Sequence, residues 1–327
     1  MKLLSLLFLA TLLLVSQSQE SPEVEESNTL NEAAVKLYNQ GKYDEALPLA
    51  KRALEIRDKL LPRTDPRISS SLINLGEIYL AQKDYKPARE TFQRLLQIQE
   101  ESFGPEDVNL AFTLDRLAVL YYVARNSRET EAAYKRALAL REKTLGANDL
   151  QVAESWFKLA EFYRFERDLK PALESYKRAL NLYGKLTGVT TREFERASDG
   201  FACLGYDHHK PELFKELTMI RKQFSGSETP DEAEALTVLN GQAISLPQPE
   251  YPGAAAARRL MGLVVVKVQI DEKGSVIAAT DMCKGPPFLS EAAVAAARKA
   301  RFTPTTINGR PIKVSGVIRY HFTRRFR

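Results

Sequence analysis

Cysteine and histidine are scarce in this chain: 2 and 3 residues among 327. Cys203 and Cys283 lie far apart, and neither has a second ligand at metal-binding spacing, so a metal site and a disulfide framework are both excluded. Two buried thiols are the expectation, with one bridge between them left open should the compartment be oxidising. His208 and His209 are adjacent and would not share a face of a helix or strand. His321 stands apart from both. Lys284-Gly285-Pro286-Pro287 lacks the spacing of a phosphate loop, and no acidic pair or nucleophile elbow accompanies it. We therefore expect no catalytic residue, no metal and no cofactor. Long apolar runs are also lacking. Leu3 to Val15 is shorter than the roughly 20 residues a spanning helix needs. With Lys2 before it, and Ser16 and Ser18 before a cut at Gln19, residues 1–18 have the layout of a secretory signal. No cysteine follows, which closes the lipoprotein route. Membrane association is expected only if this segment is retained.

Charge is unevenly spread. Residues 240–327 hold 14 Lys and Arg against 5 Asp and Glu, whereas the rest of the chain is slightly acidic. Such asymmetry points to different partners for the two parts. Nucleic acid is an unfavoured partner, because the basic part lacks interleaved stacking aromatics and export argues against it.

What is present is a repeat of 42 residues. Leu75-Gly76 returns as Leu117-Ala118 and Leu159-Ala160, and Tyr79 as Tyr121 and Tyr163. Phe92 returns as Tyr134 and Tyr176, and Lys51-Arg52-Ala53-Leu54 as Lys135 to Leu138 and Lys177 to Leu180. Within one unit, Leu72, Leu75, Gly76 and Tyr79 share a helical face, Gln82-Lys83-Asp84 breaks it, and Pro87 suits the first turn of a second helix. Gly76 and Ala88 let the two helices approach. Leu75, Tyr79, Phe92, Tyr121, Tyr134, Trp156, Tyr163 and Tyr176 are expected in the core.

Trp156, Leu159, Ala160, Tyr163, Ala172, Tyr176 and Ala179 resemble the tetratricopeptide signature, and the longer unit is similar to the repeats of kinesin light chains. The resemblance implies an α-helical solenoid of helix pairs over residues 27–224, with a weak first unit as a cap and a degenerate last pair from Ala197 to Phe224. It also implies a partner protein on the concave side. Polar positions of the first helices are the candidate contacts there: Asn74, Glu77, Arg116, Lys158 and Glu161.

Ser225 to Pro230 reads as a linker and Asp231 to Leu239 as a short helix, so residues 225–239 separate the array from a second domain. Beyond Gly241 the pattern changes. Val264, Val266, Val268 and Ile270 alternate with Val265, Lys267 and Gln269, giving a strand with one buried and one largely polar face. Asp271 to Gly274 forms a hairpin loop, and Ser275 to Asp281 return. A helix capped by Ser290 spans Glu291 to Ala300, and a short one lies near Ala254 to Leu260. Asn308-Gly309 marks a turn, and a last strand runs from Ile312 to Thr323. The expected fold is a small α+β domain with an antiparallel sheet. Arg324 to Arg327 form a basic tail.

Gln248-Pro249-Glu250-Tyr251-Pro252, then Gly262, Asp271, Gly274, Pro287, Phe302-x-Pro304 and the last strand, occur in the order found in TonB energy-transducer carboxy-terminal domains. The likeness covers residues 240–323. It implies that Gln248, Pro249, Tyr251 and Pro252 contact an outer-membrane transporter, and that the last strand accepts an extended peptide by adding it to the sheet edge. Lys313, Val317, Arg319 and His321 are the contacts expected on that strand. A separate segment 240–327 should bind such peptides. Two readings follow. One is an exported, periplasmic envelope adaptor, non-enzymatic, with the repeats holding one protein and the basic domain another. The other is an energy transducer for transmembrane transport, anchored by an uncleaved N-terminal helix.

Overall fold

The computed structural model describes residues 21–225, 242–307 and 309–323. The signal segment 1–18, most of the linker, the helix expected at Asp231 to Leu239, Asn308 and the basic tail lie outside the described residues. Two compact units make up the chain, one ending at Thr144 and one beginning at Leu145.

The first unit holds α1 (Pro22–Asn39), α2 (Tyr43–Leu60), α3 (Pro66–Ala81), α4 (Tyr85–Phe103), α5 (Leu110–Val123) and most of α6 (Ser127–Leu145). The second opens with α7 (Leu150–Phe165), α8 (Leu169–Leu186), α9 (Arg192–Asp207) and α10 (Glu212–Ser225). These ten helices are the tetratricopeptide-like solenoid. Its last pair forms two helices, with Phe194, Ala197 and Phe201 of α9 fully buried and Leu213 buried on α10.

The 42-residue register reaches the backbone. Asp65, Asp107 and Asp149 each accept an amide hydrogen bond from two residues on, at 2.9, 2.8 and 2.7 Å, and Thr191 caps α9 in the same register. Asp65, Asp149 and Thr191 satisfy N–H groups that a helix start leaves unpaired, while Asp107 makes its bond in the turn just before α5,. Between the helices of each pair the chain passes through the left-handed region at Gly41, Lys83, Arg125, Arg167 and His209, with φ of 75, 62, 60, 62 and 54°. The turn geometry therefore persists where glycine has been replaced.

A third position ties neighbouring helices together. Arg57 donates to Ser71 at 2.8 Å and Ser27 at 3.1 Å, while Gln99 accepts from Thr113 at 2.7 Å. Arg141 pairs with Asp115 at 2.7 Å, and Tyr183 donates to Glu154 at 2.8 Å. Arg57, Gln99, Arg141 and Tyr183 occupy one register position near the ends of the second helices. Their satisfied polar groups fix how far each long helix slides on its neighbour.

Gly76 works as the spacing implied, since a Cβ there would sit 2.6 Å from the Phe92 ring. Leu75, Tyr79, Phe92, Tyr163 and Tyr176 are buried. Tyr121, Tyr134 and Trp156 are only half-buried. Trp156 lies under the Arg178 guanidinium at 4.6 Å, and the Tyr121 hydroxyl meets Gln93 at 3.2 Å, so these two aromatics finish the stripe at its polar margin.

The second unit continues with β1 (Ala243–Ser245), α11 (Gly253–Ala257), β2 (Gly262–Ile270), β3 (Val276–Asp281), α12 (Pro287–Ala297), β4 (Arg301–Phe302), β5 (Thr306–Ile307), β6 (Arg310–Pro311) and β7 (Val314–Phe322). The main sheet has the order β3-β2-β7, all antiparallel, and β1 with β4 and β5 with β6 form small ribbons. Val264, Val266, Val268, Ile270, Ile318, Tyr320 and Phe322 share a core with Leu289, Ala293 and Ala297 of α12. That helix starts four residues earlier than expected. Pro287 takes its first turn, and the Ser290 hydroxyl, instead of capping, donates to Asp281 at 2.5 Å.

The cysteines are a correction. Cys203 of α9 and Cys283 after β3 form a disulfide, with Cα atoms 5.5 Å apart, rather than two buried thiols. The cause is packing absent from any local pattern: the second face of the main sheet, expected to be largely polar, lies against α9, and Val265 on that face is only 2% exposed.

Candidate functional site

Strand β7 forms one edge of the main sheet, and its alternation decides what that edge offers. Met282 donates its amide to the Val265 carbonyl at 2.9 Å, so the odd positions of β2 address β3. The even positions then address β7, pairing Val264 with Tyr320, Val266 with Ile318 and Val268 with Gly316. In an antiparallel ladder successive residues point their backbone groups to opposite sides. Ser315, Val317, Arg319 and His321 therefore direct N–H and C=O away from the sheet. Among the described residues no strand pairs with that side. The same residues place their side chains on the face away from α12, where Val317, Arg319 and His321 are exposed. Lys313, just before the strand, is exposed as well.

The leading segment meets β7 at its far end. Tyr251 stacks edge-on to Phe322 with ring centroids 5.9 Å apart, and its hydroxyl donates to the Leu260 carbonyl. Pro252 ends the extended run at the N-terminus of α11, and Pro249 is half-buried. Gln248 is exposed, and its amide has no hydrogen-bond partner among the described residues. The structure thus brings Tyr251 to the Phe322 end of the strand, with Gln248, Pro249 and Pro252 beside it in the chain. Lys313 lies at the other end, about 30 Å away at the usual strand rise. A ligand touching both ends needs roughly nine extended residues.

The same face, away from α12, is committed at β2 to the repeat helices. Lys267 Nζ lies 2.7 Å from Asp199 and 3.0 Å from Glu195, and Glu195 also holds Arg221 at 2.7 Å. Burial raises the Asp199 carboxyl above its ordinary range despite Lys267. For Glu195, burial acts the same way, but Arg221 and Lys267 outweigh it and hold the group low. Lys284 reaches Glu161 at 3.2 Å and lies over the Phe165 ring, while Arg164 donates to the Cys283 carbonyl at 3.4 Å. Glu161 is further bound by Arg164 and the Tyr176 hydroxyl. Burial opposes its charge, yet Arg164, Tyr176 and Lys284 together keep it ionised below the ordinary range. The structure therefore uses Glu161 to hold its own C-terminal domain.

The remaining repeat candidates fare differently. In the first unit, Asn74 donates to Asn31 at 2.9 Å, and Glu77 pairs with Arg116 at 2.6 Å. Lys158 lies in the second unit, on α7, and is half-buried. Missed by the polar reading are Phe112, Val119 and Val123 of α5, exposed by 38, 40 and 41%. With Arg116, whose guanidinium lies 5.0 Å from the Phe112 ring, they form a stripe at helical spacing,. The available signal was that α5 (LAFTLDRLAVLYYV) is apolar on more of its surface than one buried face requires,.

Among the described residues no cluster of His, Cys, Asp and Glu could hold a metal, and no helix is long and apolar enough to cross a membrane.

The tetratricopeptide repeat family model matches residues 25–101, 67–130 and 109–185, and the model for the Gram-negative bacterial TonB protein C-terminal region matches residues 247–323. Among solved structures, the chain is similar to the nearly identical TPR-like repeats of a Podosopora anserina protein described as a kinesin light chain. The identity is 18% and the TM-score 0.53, covering 63% of this chain and 100% of that one. BtubC (BKLC) from P. vanneervenii matches at 18% identity and a TM-score of 0.51, over 64% of this chain and 91% of that one. These likenesses show the fold. No curated protein matches the chain in sequence.

Proposed function

From a chain that carries tetratricopeptide repeats, which are protein-binding modules, and a TonB-type C-terminal domain, an envelope domain of Gram-negative bacteria, we propose an exported adaptor of the cell envelope. Its repeats hold one protein, and its C-terminal domain takes an extended peptide, such as the N-terminal segment of an outer-membrane transporter, onto the edge of β7. The observation carrying this reading is the outer side of β7, where the backbone groups of Ser315, Val317, Arg319 and His321 pair with no strand among the described residues. Exposed edges invite pairing and are usually blocked when unused. Export is supported by the layout of residues 1–18 and by the Cys203–Cys283 disulfide, since stable disulfides belong to oxidising compartments,.

The test uses the full-length protein, because a separate 240–327 segment would expose Val265 and Lys267 and leave Cys283 unpaired. Titration with transporter N-terminal peptides of about nine residues should shift amide resonances of residues 312–323 and around Gln248. Val317→Pro removes an outward donor and should weaken binding by about fivefold or more, the order of one hydrogen bond. A final strand whose amides ignore every transporter peptide would sink the capture reading.

A further inference from the structure

We propose that the strand captured on β7 is acidic, with carboxylates facing Lys313 and Arg319 and an uncharged residue between them facing Val317. This rests on the capture reading and specifies its partner.

The argument begins with counter-charges. In the C-terminal domain Lys267 and Lys284 find carboxylates, but those carboxylates belong to α7 and α9. Arg258 lies over the Phe288 ring. Arg259, Lys273, Arg298, Lys299, Arg301, Arg310, Lys313 and Arg319 are exposed, and none makes an ion pair among the described residues. The domain's own acids cannot serve them. Asp281 accepts from Cys283, Gly285 and Ser290, and Asp271 from Lys273 and Ser275. That leaves Glu250, Glu272 and Glu291 against eight cations, so the surface field around β7 is positive.

Lys313 and Arg319 differ from the other six in position. Arg319 stands in the row of β7 whose backbone faces a newcomer, and exposed Lys313 lies one residue before the strand at the other end of the same edge. Side chains directly opposite in an antiparallel pair, or beside one another in a parallel pair, interact strongly enough to favour opposite charges and penalise like ones. Val317, 37% exposed, lies between them, two residues from Arg319 and four from Lys313, and offers an apolar contact.

Self-pairing fits this row poorly. Two copies of β7 pairing antiparallel about Gly316 would set Lys313 of one against Arg319 of the other. Pairing about Val317 would set Lys313 against His321. A guarded edge thus excludes its own copy and admits a strand of opposite sign, which is how a charged edge can be selective rather than closed.

The experiment compares three nine-residue extended peptides, identical except for two sites six residues apart that carry Glu, Gln or Lys, with Val two residues from the site that meets Arg319 and four from the site that meets Lys313. Each is titrated into the full-length protein at low salt and followed by fluorescence anisotropy. The expected order is Glu, then Gln, then Lys, with about tenfold between the extremes, as two cross-strand charge pairs would give. The spread should shrink as added salt shortens the screening length to about 8 Å at 0.15 M. The double variant Lys313→Glu/Arg319→Glu, changed only at exposed positions, should reverse the order. Equal binding of all three peptides would overturn the acidic preference and leave capture standing. So would an order unchanged in the double variant, which would assign the selectivity to other cations. Binding of phosphatidylglycerol vesicles without any order among the peptides would assign the basic surface to a membrane and overturn it too. Failure of every peptide to bind would overturn capture itself.

Discussion

Tyr176 and Trp156 belong to the same repeat and the same apolar stripe, yet the structure gives them unequal work. The Tyr176 ring is fully buried, edge-on to Phe157 and Phe201 at 6.2 and 6.4 Å, and its hydroxyl serves Glu161. Trp156 keeps one face under Arg178 and is half-buried. Tyr176→Ala should therefore cost about 3–5 kcal/mol, the range for emptying a large aromatic site. It also deprives a buried carboxylate of a donor. Trp156→Ala should cost about half as much, since less surface leaves water and the cation–π contact is exposed. Denaturant midpoints of the two variants check this. Equal losses would mean that burial along the stripe is uniform, as the signature alone implies. Spacing identifies which residues line the stripe. How deep each one sits depends on the neighbouring helix, and that neighbour is remote in sequence.

At the level of elements, the joint of α7 and α9 with the C-terminal domain is the feature no local pattern announced. Four attachments hold it: the disulfide, Lys267 on Glu195 and Asp199, Lys284 on Glu161, and Arg164 on the Cys283 carbonyl. The disulfide closes a loop of 80 residues, for which chain entropy suggests about 4 kcal/mol of stabilisation,. The ion pairs remain when it is reduced. Reduction, or the double variant Cys203→Ser/Cys283→Ser, should therefore loosen the joint without unfolding the array. Amide hydrogen exchange is the measurement. Protection is expected to fall in α9, β2 and β3 and to stay unchanged in α3 and α4. Unchanged exchange throughout would show that the ion pairs and Val265 hold the joint alone. Individual elements were far more legible than their docking. The 42-residue period foretold the helix pairs because each unit repeats the same short-range contacts, down to the caps at Asp65, Asp149 and Thr191 and the turn at Asp107. Alternation foretold β2, β3 and β7 for the same reason. Nothing at short range says that Val265 and Lys267 will meet a helix some seventy residues earlier.

For the whole molecule, two features widely separated in the chain bear on one question, that of the compartment. The proposed export rests on the Leu3 to Val15 run with Ser16 and Ser18, which has the layout of a secretory signal, and on the Cys203–Cys283 bond, which suits a compartment where thiols oxidise,. The edge site has the same two-sided legibility. Family order placed the last strand, whereas the commitment of Glu161 to the joint and the apolar stripe on α5 appear only once helices are packed. Each half of the compartment argument can fail independently, which makes a single measurement informative. Intact mass of the protein from an envelope fraction, taken without and with reductant, reports the starting residue and the state of both cysteines. The expected species begins at Gln19 and gains two hydrogens on reduction. A full-length species with both thiols free would place the chain in a reducing compartment and overturn export. A full-length species in the membrane fraction with the bond formed would mean that the segment crosses and stays. The chain would then be anchored, and peptide capture on β7 would acquire a fixed point against which force could act. Removal of the segment leaves an adaptor that binds but cannot pull.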